Sequence, residues 1–240
     1  CKSFSVTDGG YEGIWETIFV KPLVWLIIQL GNIFKNYGLA IIATTLLIRL
    51  VTITFTKKTA MQSENMKAAQ PELEKLEKKY KNRQDQDSMM QKSQEMMMIY
   101  KKFNINPMSG CLFAFIQIPL FFAFYEALNR LPAIFEETFL NFQLGTTPMT
   151  AMSHGNFIYI IFIVLVIATS YFSFKLNSTA SMNKEQESQM KMMSNISVVM
   201  IGVASITLST GLALYWITNS SFTIIQNLYV KRRKAHANNK

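Results

Sequence analysis

The chain has 240 residues, a formal net charge of +9 and apolar side chains at half of its positions. The apolar residues stand in long blocks with the charges confined between them, which argues against a soluble helical protein, whose apolar residues would recur as a 3.6-residue stripe. Two cysteines, Cys1 and Cys111, supply neither a disulfide framework nor a metal-ligand spacing, so no metal and no cofactor is expected.

Residues 1–36 are read as an external segment. The chain opens at Cys1, as a mature lipoprotein does, so lipidation of Cys1 is an open reading beside a plain chain start. Ile14–Phe34 is apolar but interrupted by Glu16, Lys21, Pro22, Gln29 and Asn32, and Trp15 and Trp25 suit an interface. This pattern predicts an amphipathic helix lying on the outer membrane surface. A sixth span is the rival reading.

The first transmembrane helix is placed at residues 37–56. A hydrocarbon core of ~30 Å needs about 20 apolar helical residues, and Tyr37–Thr56 meets this. Arg49 lies inside it, roughly 10 Å from the inner end at ~1.5 Å per residue. An arginine at depth costs about 2.5–3.5 kcal/mol on insertion scales and ordinarily faces a partner or water. No carboxylate stands in its own span or in the last two. Thr45, Arg49, Thr52 and Thr56 are spaced four, three and four, which puts them on one helix face. A shared hydrated cavity is the expectation, and snorkelling of Arg49 to the inner headgroups is the alternative.

Residues 57–105 are read as a cytoplasmic helical hairpin. Lys57–Lys102 carries eleven Lys and Arg against seven acids. Residues 82–87 form a polar break, and Leu73, Leu76 and Tyr80 repeat at helical spacing. Met89, Met90, Met96, Met97 and Met98 are dense enough for an adaptable binding surface, or for filling gaps inside the hairpin.

Residues 106–230 hold four further transmembrane helices. Ser109–Leu128 and Phe157–Phe174 are single spans. Ile196–Val230 is long enough for two, turning at Ser209, Thr210 and Gly211. Residues 131–154 contain no Lys or Arg, whereas the first loop and the tail at 231–240 are basic. The positive-inside rule therefore sets the N-terminus and 131–154 outside and the C-terminus in the cytoplasm, with five spans in all. Gln117 adds polarity to the second span, and Thr169, Ser173 and Asn177 do so in the third. In the last span Trp216, Ser220, Thr223 and Asn227 form a stripe, with Tyr215, Asn219 and Gln226 beside it. The tail Lys231-Arg232-Arg233-Lys234 reads as a topology anchor, or as a site for ribosomal RNA phosphates. The fold class is thus all-α: a polytopic membrane protein with an external amphipathic helix and a cytoplasmic hairpin.

Several motifs together are similar to those of the YidC/Oxa/Alb membrane insertases, in the form of the Gram-positive type of YidC. They are Tyr100-Lys101-Lys102-Phe103 with Asn106-Pro107, then Gly110-Cys111 with Gln117-Ile118-Pro119, and Ser209-Thr210-Gly211-Leu212 leading to Leu214-Tyr215-Trp216 and Asn219. Arg49, with Thr45 one turn before it, stands where that family carries its groove arginine. The resemblance implies an insertase and chaperone of the cell membrane, with a hydrophilic groove that draws in the acidic translocating tails of single-span substrates. It implies Arg49 as the polar lure and Thr45 and Trp216 as groove contacts; Gln117, Tyr215 and Asn219 join them from the polar pattern above. Nascent membrane proteins and lipids are the implied partners, with the Sec translocon and the ribosome as further candidates and no oligomer required. A transporter or channel with a polar cavity is the alternative class. An enzyme is not expected: His154 and His236 both lie outside the spans, and no phosphate loop or H-E-x-x-H pattern occurs.

Overall fold

A computed structural model of the chain describes residues 13–131, 134, 136–177 and 184–239. Cys1 falls outside the described residues. Among the described residues the architecture is all-α apart from one two-stranded ribbon. A π-helical turn at Glu16–Val20 leads into α1 (Lys21–Phe34); then follow α2 (Tyr37–Val51), α3 (Ile53–Tyr80), α4 (Gln86–Lys102) and α5 (Ser109–Asn129). The strands β1 (Thr138–Phe139) and β2 (Phe142–Gln143) precede α6 (Pro148–Ser153). A 3-10 turn at Phe157–Tyr159 opens α7 (Ile160–Leu176), and α8 (Lys184–Thr207) and α9 (Thr210–Asn238) complete the chain.

The chain divides into two compact units. The first takes residues up to Thr52, Phe115–Ser170 and Val199–Phe222; the second takes Ile53–Ala114, Tyr171–Val198 and Thr223 onward.

In the first unit, α1 and α2 meet across a tight turn. Lys35 adopts a left-handed conformation (φ 55°), and Asn36 caps α2 by accepting from the Leu39 amide at 3.0 Å. Side-chain atoms crowd both faces of this turn: a Cβ on Gly31 would stand 2.8 Å from the Tyr37 ring, and one on Gly38 2.4 Å from Phe139. The core joins Val20, Leu23, Val24 and Ile27 of the N-terminal helix to Ile41, Phe124, Leu128, Leu131, Leu212 and Tyr215. One face of Glu16–Phe34 is therefore packed into protein. Ile18, Phe19, Trp25 and Ile33 stay exposed on the rest.

The Leu140–Asn141 turn between β1 and β2 has positive φ at both residues, the geometry that matches strand twist. The segment after β2 supplies acceptors for the start of α9. Thr210 N–H and Oγ1 both donate to Thr146 O, at 2.9 and 3.0 Å, and Gly211 N–H donates to Leu144 O at 2.9 Å. These bonds satisfy donors that a helix N-terminus leaves unpaired. The break between α8 and α9 falls at Leu208–Ser209, within the apolar run 196–230.

In the second unit α3 and α4 pack side by side around Ala69, Leu73 and Ile105. Asp85 caps α4, accepting from Ser88 N–H at 3.1 Å and Ser88 Oγ at 2.9 Å. Lys79 pairs with Glu95 at 2.7 Å and Lys92 with Glu77 at 2.6 Å, while Lys102 pairs with Glu72. Tyr80 Oη donates to the same Glu95 oxygen at 2.7 Å. Met96 packs on the hairpin core, whereas Met89, Met90, Met97 and Met98 are exposed. Lys67 Nζ donates to Leu176 O at 2.8 Å, which satisfies a terminal carbonyl of α7.

Two of the predicted elements are observed as follows. The helix of residues 37–56 is not continuous: it breaks at Thr52, whose hydroxyl donates to Ile48 O at 2.8 Å in a run of β-branched residues. Among the described residues three helices are long and apolar enough to cross a membrane: Glu16–Phe34, Phe157–Leu176 and Glu187–Thr207. There are up to four when Tyr37–Val51 and Ile53–Tyr80 count as one span. The N-terminal helix thus meets the length and composition of a span, although the sequence pattern points to an interfacial helix. The apolar part of α5, Phe115–Asn129, is short. The polar stripe of α9 dilutes its apolar character.

The Lys79–Glu95 pair makes the hairpin sensitive to acid. Hydrogen bonds from Lys79 and then Tyr80 hold the Glu95 carboxyl below its ordinary value of 4.5. Its contribution is complete above that value and disappears as the pH falls through the lower folded value. Lys79 is shifted upward, chiefly by its bond to Glu95, so its side of the pair is lost only in strong alkali. Amide exchange in α4, corrected for intrinsic rate, should therefore accelerate as the pH falls below 4.5. Glu95→Gln should loosen α4 at neutral pH and remove the part of the acid step due to Glu95.

Candidate functional site

Arg49 lies in the last turn of α2 and is completely buried. Its Nη1 donates to Asn219 Oδ1 on α9 at 3.0 Å. Asn219 Nδ2 in turn donates to Gln117 Oε1 on α5 at 2.7 Å. The guanidinium also lies over the Phe222 ring, 4.7 Å from its centroid. Asn219 and Phe222 are three residues apart, so one face of α9 presents both an amide acceptor and a ring to the cation. A donor chain therefore runs from Arg49 through Asn219 to Gln117, each member giving a proton to the next.

Burying a guanidinium costs several kcal/mol unless its donors are satisfied. Here the Nη1 acceptor is a neutral amide. An amide oxygen holds the cation in place, but a carboxylate in the same position makes a bond about twice as strong.

The other site residues predicted from sequence lie around this chain in differing roles. Thr45 is buried and turns its hydroxyl to its own helix, donating to Ile41 O at 2.7 Å. Tyr215 is buried and stacks on Phe124 with centroids 4.1 Å apart and planes 17° apart. Trp216 Nε1 donates to Ser170 Oγ at 2.8 Å, and its ring meets Phe121 edge-on at 5.6 Å. Tyr215 Oη, Gln117 Nε2 and Thr44 Oγ1 are buried with no hydrogen-bond partner. Polar atoms left in this state are costly and call for a ligand, a water or a functional reason.

A cavity of about 290 Å³ adjoins the chain. Its wall is apolar, formed by Phe121, Phe122, Val166, Ile201, Leu212 and others, and it includes Gln117 and Trp216. Arg49, Thr45, Tyr215 and Asn219 do not line it. Arg49 Nη1 is bonded to Asn219 and Asn219 Nδ2 to Gln117, while the Thr45 hydroxyl bonds its own helix.

Ser170 and Phe222 were not identified from sequence. Ser170 sits next to Thr169 in an otherwise apolar run, and Phe222 lies one helical turn beyond Asn219; both offsets were readable, but their partners were not. In the second unit the stripe continues through other bonds. Gln226 Nε2 donates to Thr56 Oγ1 at 3.0 Å, and Asn227 Nδ2 to Asn177 Oδ1 at 2.7 Å.

Asn219→Leu removes the Nη1 acceptor from a buried cation and should destabilise the protein by about 1.5–3 kcal/mol. Trp216→Phe keeps the ring contact and loses the Ser170 bond, at a cost of about 1 kcal/mol. Thermal unfolding in detergent checks both, and Asn219→Leu should give the larger fall.

The chain is similar to known proteins along most of its length. The family model of the 60Kd inner membrane proteins matches residues 29–238. The membrane protein insertase YidC of Oceanobacillus iheyensis is 34% identical over 92% of this chain and 85% of its own length. The membrane protein insertase YidC 2 of Bacillus anthracis is 38% identical over 91% of this chain and 82% of its own. Membrane protein insertase MisCA of Bacillus subtilis is 37% identical over 90% of this chain and 79% of its own. Among solved structures, an active YidC insertase with its first transmembrane domain resolved superposes with a TM-score of 0.66 at 26% identity. That match covers 93% of this chain and 48% of the solved one, so this chain spans about half that protein's length. With its long apolar helices, this is a multi-pass membrane protein, and the chain belongs to the YidC family of 60Kd inner membrane proteins.

Proposed function

We propose that this protein is a membrane protein insertase and chaperone, in which Arg49 attracts acidic residues of the translocating tails of single-span substrates. The observation that carries this reading is a fully buried guanidinium whose Nη1 acceptor is the neutral Asn219 amide. In a low-dielectric site a carboxylate is drawn to such a cation far more strongly than in water. Tyr215 Oη and Gln117 Nε2 are two further buried groups able to donate to an incoming acid. The attraction is transient. The lasting drive is burial of the substrate's own apolar helix in lipid, at ~25 cal/mol per Å², so no nucleotide, cofactor or metal enters the scheme and no bond is made or broken.

In this reading the protein sits in the cell membrane with five spans, its N-terminus outside and the α3–α4 hairpin and basic tail in the cytoplasm. Residues 14–34 lie at the outer interface. Exposed Met89, Met90, Met97 and Met98 give the hairpin an adaptable apolar face for emerging substrate segments. Nascent membrane proteins and lipids are the partners, with the Sec translocon and the ribosome as further ones.

Reconstitution in liposomes tests the proposal. Wild-type protein should insert a small single-span substrate with an acidic external tail. Arg49→Ala should lower insertion at least tenfold, on the order of a lost charged hydrogen bond. Arg49→Lys keeps the charge but not the planar fork and should retain most activity. Equal insertion by Arg49→Ala would remove the electrostatic lure, and ion conductance without insertion would replace the insertase reading with a channel.

A further inference from the structure

The basic tail is tied into the second unit at one residue. Lys231, Arg232 and Arg233 are exposed, but Lys234 is half-buried, and its Nζ donates to Asn65 Oδ1 on α3 at 2.5 Å. Burial pulls the Lys234 ammonium below the usual lysine value, and Glu64 offsets part of that shift. The other end of the same amide faces the loop by which the chain leaves the hairpin: Asn65 Nδ2 donates to Asn104 O at 3.4 Å. Gln62, one turn earlier on α3, holds this loop as well. Its Nε2 donates to Asn104 O at 3.0 Å and its Oε1 accepts from Asn106 N–H at 2.6 Å. Asn104 adopts a left-handed conformation (φ 54°), and Ile105 beside it packs with Ala69 and Leu73. An ammonium has only protons to give and a carbonyl only lone pairs, so these two partners fix the Asn65 amide in one orientation. Hydrogen bonds in series polarise one another, which makes the hold on Asn104 depend on Lys234.

We propose that Lys234 is a latch on the base of the α3–α4 hairpin: it holds the 104–106 loop through Asn65 until the phosphates of anionic lipids draw its ammonium away, and the end of α4 then loosens. The tail Lys231-Arg232-Arg233-Lys234 follows directly on the apolar run 196–230, so it stands at headgroup depth, where basic clusters gather anionic lipids. A phosphate is a charged acceptor and the Asn65 oxygen a neutral one, so the phosphate makes the stronger bond with the ammonium. Partial burial of Lys234 favours the same exchange, since leaving Asn65 returns the ammonium to a setting that favours its charge. Once Lys234 has left, the Asn65 amide keeps only its weak bond to Asn104 O and loses the partner that fixed its orientation. The latch does not involve Arg49, and it stands whether or not the protein inserts substrates.

The test is hydrogen exchange of the full chain in liposomes, read by mass spectrometry at the Asn104, Ile105 and Asn106 amides, which donate to Lys101 O, Tyr100 O and Gln62 Oε1. The Thr210 and Gly211 amides at the start of α9 serve as the reference. In phosphatidylcholine liposomes the wild-type loop should exchange slowly. Lys234→Met keeps an unbranched side chain without a donor and should exchange there about tenfold faster, the change expected for one lost charged hydrogen bond. Asn65→Asp keeps an acceptor for Lys234 but turns an oxygen toward Asn104 O, and should accelerate the loop as well. With phosphatidylglycerol in the liposomes, the wild type should approach the rate of Lys234→Met, and both variants should stay as they were. Equal rates in wild type and Lys234→Met, no response of the wild type to phosphatidylglycerol, or acceleration matched at Thr210 and Gly211 would overturn the latch. A response to added ribosomal RNA in phosphatidylcholine, with none to phosphatidylglycerol, would overturn the lipid trigger.

Discussion

A guanidinium buried among apolar helices is the constraint around which the first unit is organised. Arg49 cannot sit in that interior without acceptors, and no single helix supplies them. α9 contributes Asn219 and the Phe222 ring, and α5 contributes Gln117 behind Asn219. Placing α9 correctly depends in turn on its start, where Thr146 and Leu144 carbonyls receive the Thr210 and Gly211 donors. Shifting α9 by one residue would rotate Asn219 about 100° away from Arg49. The register at 210 and the charge at 49 are thus coupled through the length of one helix.

The choice of amides instead of a carboxylate has a functional consequence. A protein carboxylate beside Arg49 would neutralise it, and an incoming acid would have to displace an ion pair. Asn219 satisfies hydrogen-bonding geometry while leaving the net charge in place. The acceptor of Nη1 is thus a neutral side chain, and in the proposed reading that is what lets an acidic substrate tail interact with Arg49.

The second unit uses ordinary surface chemistry. Its hairpin is held by a small core at Ala69, Leu73 and Ile105 and by exposed ion pairs, each of which is worth little alone. An element held this way opens at low cost. The exposed methionines on α4 have no packing role in the described structure, unlike Met96, which does.

The sequence by itself determined the all-α membrane character, because long apolar blocks have no other stable arrangement in lipid. It also determined the family, through short motifs at characteristic spacing, and the singular position of Arg49. The helical stripe at Asn219 was visible as polarity on one face. Tertiary structure alone decided what those polar groups do. Periodicity places Thr45 and Arg49 on one face, but hydroxyls of short side chains reach their own helix's carbonyls first, so Thr45 turned inward and Arg49 reached across. Gln117 was readable as a polar residue in a span, and its link to Asn219 was not, because contacts 102 residues apart leave no periodic trace.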